Sequence, residues 1–450
     1  MSTARTVAYD VLMQWSNDEG FVGDLLEAQC RRTPISAADR RLANELCCGV
    51  VRRQGTLDAI LRPHARRGLE NIEDGLRRML HLGAYQLIFL SGIPAHAAVH
   101  ETVELAKLRR KPQWTAILNG ILRGITRNLT GELADQPSPR GVPLADGKFR
   151  LLAEDLFPSP ETDAVGYLSE AFSFPRWLPQ RWQVRMATPE LIRLGHWFNA
   201  VQPLTLRVNL LRTDRDKLLQ KLTDAGVSAV PGNRQESIQL EESTVITELP
   251  GFRDGEFTVQ DESATAAGAL LAPKAGERIL DLCAAPGGKT AHLAELMNNE
   301  GTITATDVTA ARLHLVDETC QRLGLSIVQT VLLERQNTEI PPGPYDGILV
   351  DAPCSNTGVL GKRPEARWRI RPEEIVELQE LQTGLLTAAV RELAPQGRIV
   401  YSTCSFEPVE NRAVVNRLLA DFPELQLESE ATHIPGRPAD GGYQALLRLK

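Results

Sequence analysis

From about Gly276 onward, short apolar runs alternate with longer amphipathic ones, and this alternation restricts the possible folds more than any other feature. The strand-like runs are Arg278–Cys283, Thr302–Thr306, Ile327–Leu332, Gly347–Val350 and Arg398–Ser402. Helical periodicity fills the gaps, as in Ala310–Leu323 and Pro372–Leu393. Parallel strands need a long crossover between them, which a helix supplies. The pattern therefore predicts a doubly wound α/β sheet, whose ligand lies off the carboxyl ends of the strands.

The chain before this region reads differently. Up to about residue 130 only helical spacing is found, in Leu42, Leu46 and Val50, in Leu76, Met79, Leu80 and Tyr85, then from His96 to Leu108 and from Trp114 to Leu129. Paired arginines punctuate the polar faces: Arg31-Arg32, Arg40-Arg41, Arg52-Arg53, Arg66-Arg67 and Arg77-Arg78, with Lys107-Leu108-Arg109-Arg110-Lys111 densest. The formal net charge of the whole chain is −7, but residues 1–130 carry 18 Lys+Arg against 13 Asp+Glu, and the remainder 32 against 44. Any one arginine pair reads as a solvated helix face; their accumulation in one region points to a polyanion partner.

Residues 131–175 begin rich in Pro, Gly and Asp and read as a linker or ordered insertion. A helical connector follows from Trp177 to Phe198. A small α/β module then runs to about residue 260, with strands at Thr205–Leu210, Ser237–Leu240 and Phe257–Gln260 and a helix from Asp214 to Ala225 stopped by Gly226.

With 42 % hydrophobic and 24 % charged residues, the chain is not globally disordered. It has no signal-peptide core and no apolar run near the ~20 residues of a membrane span. Its seven cysteines form no C-x-x-C pair and no zinc-spaced cluster. A reducing, cytoplasmic setting without membrane or metal is expected.

The chemistry collects at the strand ends. Ile279-Leu280-Asp281-Leu282 leads into Cys283-Ala284-Ala285-Pro286-Gly287-Gly288-Lys289-Thr290, a Gly-rich turn opening a helix. Such a turn lets a cofactor approach the backbone and offers helix N–H groups to an anion. It matches neither a dinucleotide fingerprint nor a phosphate loop, so alone it leaves a plain structural turn open. Asp307, ending the second strand, suits a ribose diol or a helix cap. Asp351-Ala352-Pro353-Cys354-Ser355 and Tyr401-Ser402-Thr403-Cys404-Ser405 end the fourth and fifth strands. A lone cysteine is usually a small buried hydrophobe; two at corresponding strand ends, beside an acid and a Gly-rich loop, form a rarer arrangement. Between them, Gly361–Arg371 holds Lys362, Arg363, Arg367, Arg369 and Trp368, a set suited to phosphates and a stacked base, or to an exposed loop anchored by a buried indole. His96 and His100 have no partner pattern and read as structural, as do Cys30, Cys47, Cys48 and Cys320.

Asp281–Thr290, Asp351–Ser355 and Thr403-Cys404, in that order, resemble the RNA cytosine-C5 methyltransferases of the NOL1/NOP2/Sun family. Val259–Ala264 resembles the element preceding that family's cofactor loop, and Leu206-Arg207-Val208-Asn209 its small RRM-like module. Ile93–Val103 and Leu118–Arg123 resemble a NusB-like helical RNA-binding domain. The resemblance implies a NusB-like domain over 1–130, the insertion, the connector and module to 260, and a Rossmann-like class I methyltransferase domain over 261–450.

The resemblance also implies S-adenosylmethionine as cofactor, held by Cys283, Ala284, Ala285, Pro286, Gly287, Gly288, Lys289, Asp307 and Asp351. It implies Cys404 as nucleophile toward carbon 6 of the base, Cys354 in resolving the intermediate, and Asp351 and Lys289 on the cytosine ring. By analogy with DNA cytosine methyltransferases, Cys354 would be the nucleophile instead. The NusB-like fusion implies 16S ribosomal RNA of the small subunit as partner; transfer RNA and a non-catalytic RNA-binding factor are the alternatives. One departure stands out. The family's Gly-Asp at the third strand end is replaced by Thr330-Val331-Leu332-Leu333-Glu334-Arg335, where Glu334 is the candidate substitute.

Overall fold

The structure, a computed structural model, describes residues 3–16, 20–65, 68–242, 244–334, 339–437 and 439–450. The chain forms two compact units, Met1–Gln202 with Leu360–Arg369, and Pro203–Val359 with Ile370–Lys450. Among the described residues no helix is long and apolar enough to cross a membrane.

The N-terminal unit opens with α1 (Ala4–Trp15), α2 (Val22–Arg32), α3 (Ala37–Arg52), α4 (Gln54–Leu61), α5 (Asp74–Phe89), α6 (Ala95–Leu108) and α7 (Thr115–Asn128). Thr3 and Ser36 cap α1 and α3 through their hydroxyls, satisfying N–H groups that a helix start leaves orphaned. Helix α5 is buried on nearly every side, and its neighbours come close: a Cβ on Gly49 would overlap the Tyr85 ring, and one on Gly83 the Leu122 side chain.

Burial of α5 changes the reading of the arginine pairs. Arg77 and His81 both bind Asp58, and Arg78 donates to Ser16 and Gln54. Arg52 and Arg53 are buried, Arg53 over the Phe89 ring. Arg40 pairs with Glu27, Arg109 with Asp10 and Lys107 with Glu104. Arg31, Arg32, Arg41 and Arg110 remain exposed, and Arg66-Arg67 lies outside the described residues. Much of the basic excess thus holds helices together, which composition could not distinguish from a polyanion surface.

The Pro/Gly-rich insertion is ordered. Its strands β1 (Leu129–Ala134), β2 (Gly141–Pro143) and β3 (Phe149–Leu152) form an antiparallel sheet in the order β1-β3-β2. Helices α8 (Ala164–Ala171), α9 (Trp177–Trp182) and α10 (Thr188–Asn199) follow. Phe149, Tyr167, Phe172 and His196 meet edge to face, as Phe174 meets Trp182 and Phe198, which are tilted against each other. These rings bind the connector helices into the N-terminal unit, rather than to the small module that follows in sequence.

The second unit begins with that module: β4 (Leu204–Val208), α11 (Arg215–Asp224), β5 (Ala229–Pro231), β6 (Ser237–Leu240) and β7 (Phe257–Val259), in an antiparallel sheet ordered β5-β6-β4-β7. Leu206, Val208, Ile238, Leu240 and Phe257 pack with Leu218 and Leu222 of α11 on one face. An RRM uses the other face of its sheet for RNA. Here that face is buried too, through Thr205, Arg207, Ser237 and Thr258.

The large sheet is built from α12 (Glu262–Leu271), β8 (Arg278–Leu282), α13 (Gly288–Leu296), β9 (Thr302–Asp307), α14 (Ala310–Leu323), β10 (Val328–Leu332) and β11 (Tyr345–Asp351). After β11 the chain passes through α15 (Ala366–Arg369), which belongs to the N-terminal unit, and returns as α16 (Pro372–Arg391), β12 (Leu393–Thr403), α17 (Arg412–Asp421), β13 (Leu425–His433) and β14 (Gly442–Leu449). The order is β10-β9-β8-β11-β12-β14-β13, the first five strands parallel to one another and β14 antiparallel to both of its neighbours, β12 and β13. Alternation divides the core as a doubly wound sheet requires. Leu280, Leu282, Ile348, Val350, Ile399 and Tyr401 face α16 and α17, whereas Ile279, Leu349 and Val400 pack with residues of α12–α14.

Candidate active site

The carboxyl ends of β8, β9, β11 and β12 lie side by side. Parallel pairing sets Asp351 opposite Ser402 and Val350 opposite Leu282, so the turns after these three strands converge without any long-range accident of loop folding.

The turn after β8 bends sharply. Cys283 is left-handed (φ 62°), Gly287 has φ 100°, and Ala284 N–H bonds to Thr306 O at 2.8 Å. A Cβ on Gly287 would stand 2.9 Å from the Val316 backbone of α14, so only glycine permits this approach. At Gly288 the nearest atoms to such a Cβ are 3.9 Å away, on Gln260. The backbone is therefore open on one side, and the first turn of α13 has no side-chain cap, leaving N–H groups for a ligand's carboxylate. Asp307 is buried at the end of β9, where it accepts from Thr309 N–H and pairs with Arg312 at 3.1 Å. It thus supports the start of α14 and also stands at the edge where a ribose diol would lie. Glu334 is exposed just beyond β10, and Arg335 lies outside the described residues.

Lys289, the second residue of α13, donates to Asp351 Oδ2 at 2.7 Å. Burial alone would lower the ammonium pKa; Asp351, with Cys404 and Asp281 behind it, outweighs burial and raises it. Cys354 and Cys404 meet with their sulfurs 3.1 Å apart, beyond the ~2.05 Å of a disulfide. Contact with Cys404 and burial push the Cys354 thiol well above the ordinary cysteine range. Cys404 is less buried and donates its S–H to Asn356 Oδ1 at 3.1 Å. The pair is thus asymmetric: a buried sulfur held as a thiol, and a more open one near an ammonium. A thiolate is the nucleophilic form, and a nearby cation favours it.

At this edge Asn356 escaped sequence reasoning, and the surroundings of Asp281, Arg207 and Cys283 could not be read from it. Asn356, left-handed at φ 58° as asparagine tolerates, bridges Cys354 O and the Cys404 sulfur. Asp281 lies fully buried beneath the turn, bonded to Thr290 Oγ1 at 2.6 Å, while its Oδ1 has no partner among the described residues. Burial pushes its carboxyl up to about 7. Arg207 reaches from β4 to Gly288 O at 2.9 Å, Gln260 and Glu295, and so ties the small module to the start of α13. Cys283 is partly buried, its thiol pushed up to about 12 by desolvation.

The basic segment needs correction. Arg367 is fully buried and donates to the carbonyls of Arg52, Ser173, Phe198 and Leu360 and to Asn199 Oδ1, at 3.0–3.2 Å. Both terminal nitrogens are committed to the protein, and full burial keeps the guanidinium from a phosphate. Trp368 is half-buried and donates its indole N–H to Val51 O at 2.9 Å, as the buried-anchor reading requires. Arg369 donates to Gly20 O. Lys362 and Arg363 are exposed.

Known proteins are similar to this chain along most of its length. Residues 268–446 match the model of the 16S rRNA methyltransferase RsmB/F family, residues 2–127 that of the NusB family, and residues 174–247 that of the RsmF/B-like ferredoxin-like domain. A probable ribosomal RNA small subunit methyltransferase B of Synechocystis is 35 % identical over 433 residues, covering 95 % of this chain and 91 % of that protein. The ribosomal RNA small subunit methyltransferase B of Sodalis glossinidius is 36 % identical over 421 residues, covering 92 % and 88 %. A crystal structure of a methyltransferase homolog from Pyrococcus horikoshii superposes with a TM-score of 0.55 at 28 % identity, covering 65 % of this chain and 100 % of that one. A helical domain, a small module and a methyltransferase domain are thus matched in that order, the relatives are covered along nearly their whole length, and the chain belongs to the family of ribosomal RNA small subunit methyltransferase B.

Proposed function

We propose that the chain methylates carbon 5 of a cytosine in 16S ribosomal RNA in the cytoplasm, with S-adenosylmethionine as donor and Cys404 as covalent nucleophile. The observation that carries this reading is the asymmetric sulfur pair, with Cys354 held as a thiol 3.1 Å from the more open Cys404 and Lys289 nearby.

The residues present fit the cofactor. The open backbone at Gly287-Gly288 and the uncapped start of α13 suit its aminoacid carboxylate, and Asp307 suits the ribose diol. When bound, the cofactor supplies a methyl group on a sulfonium, an electrophile that an unactivated C5 carbon does not attack. Cys404 overcomes this by adding its sulfur to carbon 6, which makes carbon 5 nucleophilic. After methyl transfer, loss of the C5 proton and expulsion of the sulfur restore the aromatic ring and the Cys404 thiolate. The target base must first leave its stack. Asp351, oriented by Lys289, would hydrogen-bond the cytosine's N3 or amino edge. Cys354, kept as a thiol, serves the later release step. Its burial and its elevated thiol weigh against the alternative in which it attacks.

The test is direct. Purified protein, small-subunit ribosomal RNA and methyl-labelled donor are incubated, and the RNA is digested and analysed for 5-methylcytidine. Label in that nucleoside supports the reading. Label confined to another nucleoside, or to transfer RNA supplied in parallel, overturns it.

A further inference from the structure

Beneath the two cysteines lies a second acid that the mechanism leaves unused. Glu410, just ahead of α17, is fully buried, and among the described residues no cation pairs with its carboxylate within ion-pair distance. A buried charge persists only if hydrogen bonds replace its hydration. Here they come from the residues that follow each cysteine. Oε1 accepts from Ser355 N–H at 2.8 Å and from Gln382 at 3.2 Å; Oε2 accepts from Ser355 Oγ at 2.5 Å and from Ser405 Oγ at 2.6 Å. The Glu410 carbonyl takes the Tyr401 hydroxyl, and Gln382 also holds Pro353 O. One carboxylate therefore grips Cys354-Ser355 and Cys404-Ser405 at once, and the sulfurs touch above it.

We propose that Glu410 is a positioning residue: its carboxylate ties the turn after Cys354 to the turn after Cys404, and its fixed charge keeps Cys354 the thiol of the pair. This rests on reading Cys404 as the nucleophile. Two equivalent thiols in contact would share one negative charge between them. Here contact with Cys404 and burial already set the inner sulfur apart, and a negative group beneath it widens the difference, because a like charge disfavours ionisation. Around Cys354 stand Cys404 and the neutral, buried Tyr401 hydroxyl from β12, Glu410 from the α17 side, and Asp351 on its own strand, itself paired with Lys289 of α13. Glu410 is the acid among them that also contacts both turns.

Glu410→Gln separates charge from geometry. The amide oxygen can still accept from Ser355 N–H and Gln382, and the serine hydroxyls can rotate to accept from the amide nitrogen. The full-length variant and wild type are alkylated with iodoacetamide across pH 6–10, and each cysteine peptide is quantified by mass spectrometry. In wild type Cys404 reacts first. In Glu410→Gln, Cys354 should be modified about tenfold faster at a given pH, its profile shifted to lower pH, with melting temperature showing the fold retained. An unshifted or upward-shifted Cys354 profile overturns the charge role. Ser405→Ala carries the tether role, also if Glu410→Gln does not fold. It should lower kcat for RNA methylation at least about fivefold with the KM for RNA and donor unchanged; an unchanged kcat overturns the tether. A wild-type protein that methylates no RNA would refute the reading of Cys404 instead, leaving the alkylation profiles to decide on Glu410.

Discussion

Two stretches close together in sequence, Asp351–Ser355 and Gly361–Arg371, both carry residues of the type that binds or transforms a ligand. The first ends a central strand, and its neighbours in the sheet dictate what it meets: Cys404, Lys289 and Asp351 are brought together by the register of β8, β11 and β12. The second belongs, as far as Arg369, to the N-terminal unit, and there Arg367 is held by four backbone carbonyls and an asparagine. The contrast teaches that a residue's chemical type predicts function when secondary-structure geometry fixes its surroundings. Charge in a loop does not carry the same weight, since the same guanidinium serves a phosphate or a buried carbonyl equally well.

Substitutions can break this contrast, beginning where the largest effect is expected. Arg367→Met should destabilise the protein by about 3–5 kcal/mol in denaturant unfolding, because several buried carbonyls lose their donor. A loss below about 1 kcal/mol, together with weaker RNA binding, would return Arg367 to the RNA surface.

Arg207→Met sharpens the other side. Burial lowers the Arg207 pKa and raises that of Glu295, so desolvation exceeds the attraction between them. The pair is therefore a poor source of stability but an effective strut. The single variant should lose about 3–5 kcal/mol, because a buried carboxylate is stranded, and Arg207→Met with Glu295→Leu should recover most of it. Cofactor affinity, measured by calorimetry, should remain reduced in the double variant, since Gly288 O stays untethered. Full recovery of both would show that the strut has no bearing on the cofactor turn.

Asp281 gives a pH signature. Its folded-state pKa, near 7, lies above the usual carboxylate value, so the folded state holds its proton more tightly than the unfolded one. This contribution is present at low pH and is lost as pH rises from about 4 to about 7. The stability of Asp281→Asn relative to wild type should accordingly increase over that window, by on the order of 3 kcal/mol or less, and level off above it. A flat difference would mean that the acid ionises normally.

The smallest effects are expected at Lys362 and Arg363. Alanine at either should change stability by less than about 0.5 kcal/mol. If they hold phosphates, the salt dependence of RNA binding should weaken by about 0.7–0.9 in log–log slope for each phosphate no longer neutralised. An unchanged slope would remove the whole segment from the RNA surface.

The parallel core was legible because Ile279–Leu282, Thr302–Thr306 and Gly347–Val350 are apolar runs bounded by turn residues, and their ends marked where chemistry would collect. β13 and β14 were not foreseen: β13 is a largely exposed strand rich in Glu, Gln, Ser and Thr, so it lacks the apolar run of a buried strand. The sheet of β1–β3 was hidden for a similar reason, its strands being short and set among Pro and Gly. Asn356 and Glu410 could not be recognised from spacing, because their partners come from another strand's turn. Arg207 looks like part of an RNA module in sequence, since alternation tells which residues share a face but not what covers that face.

The central claim is that the two cysteines are unequal and that Cys404 attacks. Its most direct test incubates wild type, Cys404→Ala and Cys354→Ala with small-subunit ribosomal RNA and donor, then separates covalent protein–RNA complexes on a denaturing gel. Cys404→Ala should form neither the complex nor 5-methylcytidine, while Cys354→Ala should accumulate the complex because release is slowed. The reversed pattern, with the complex lost in Cys354→Ala and kept in Cys404→Ala, or full methylation by Cys404→Ala, would contradict the account.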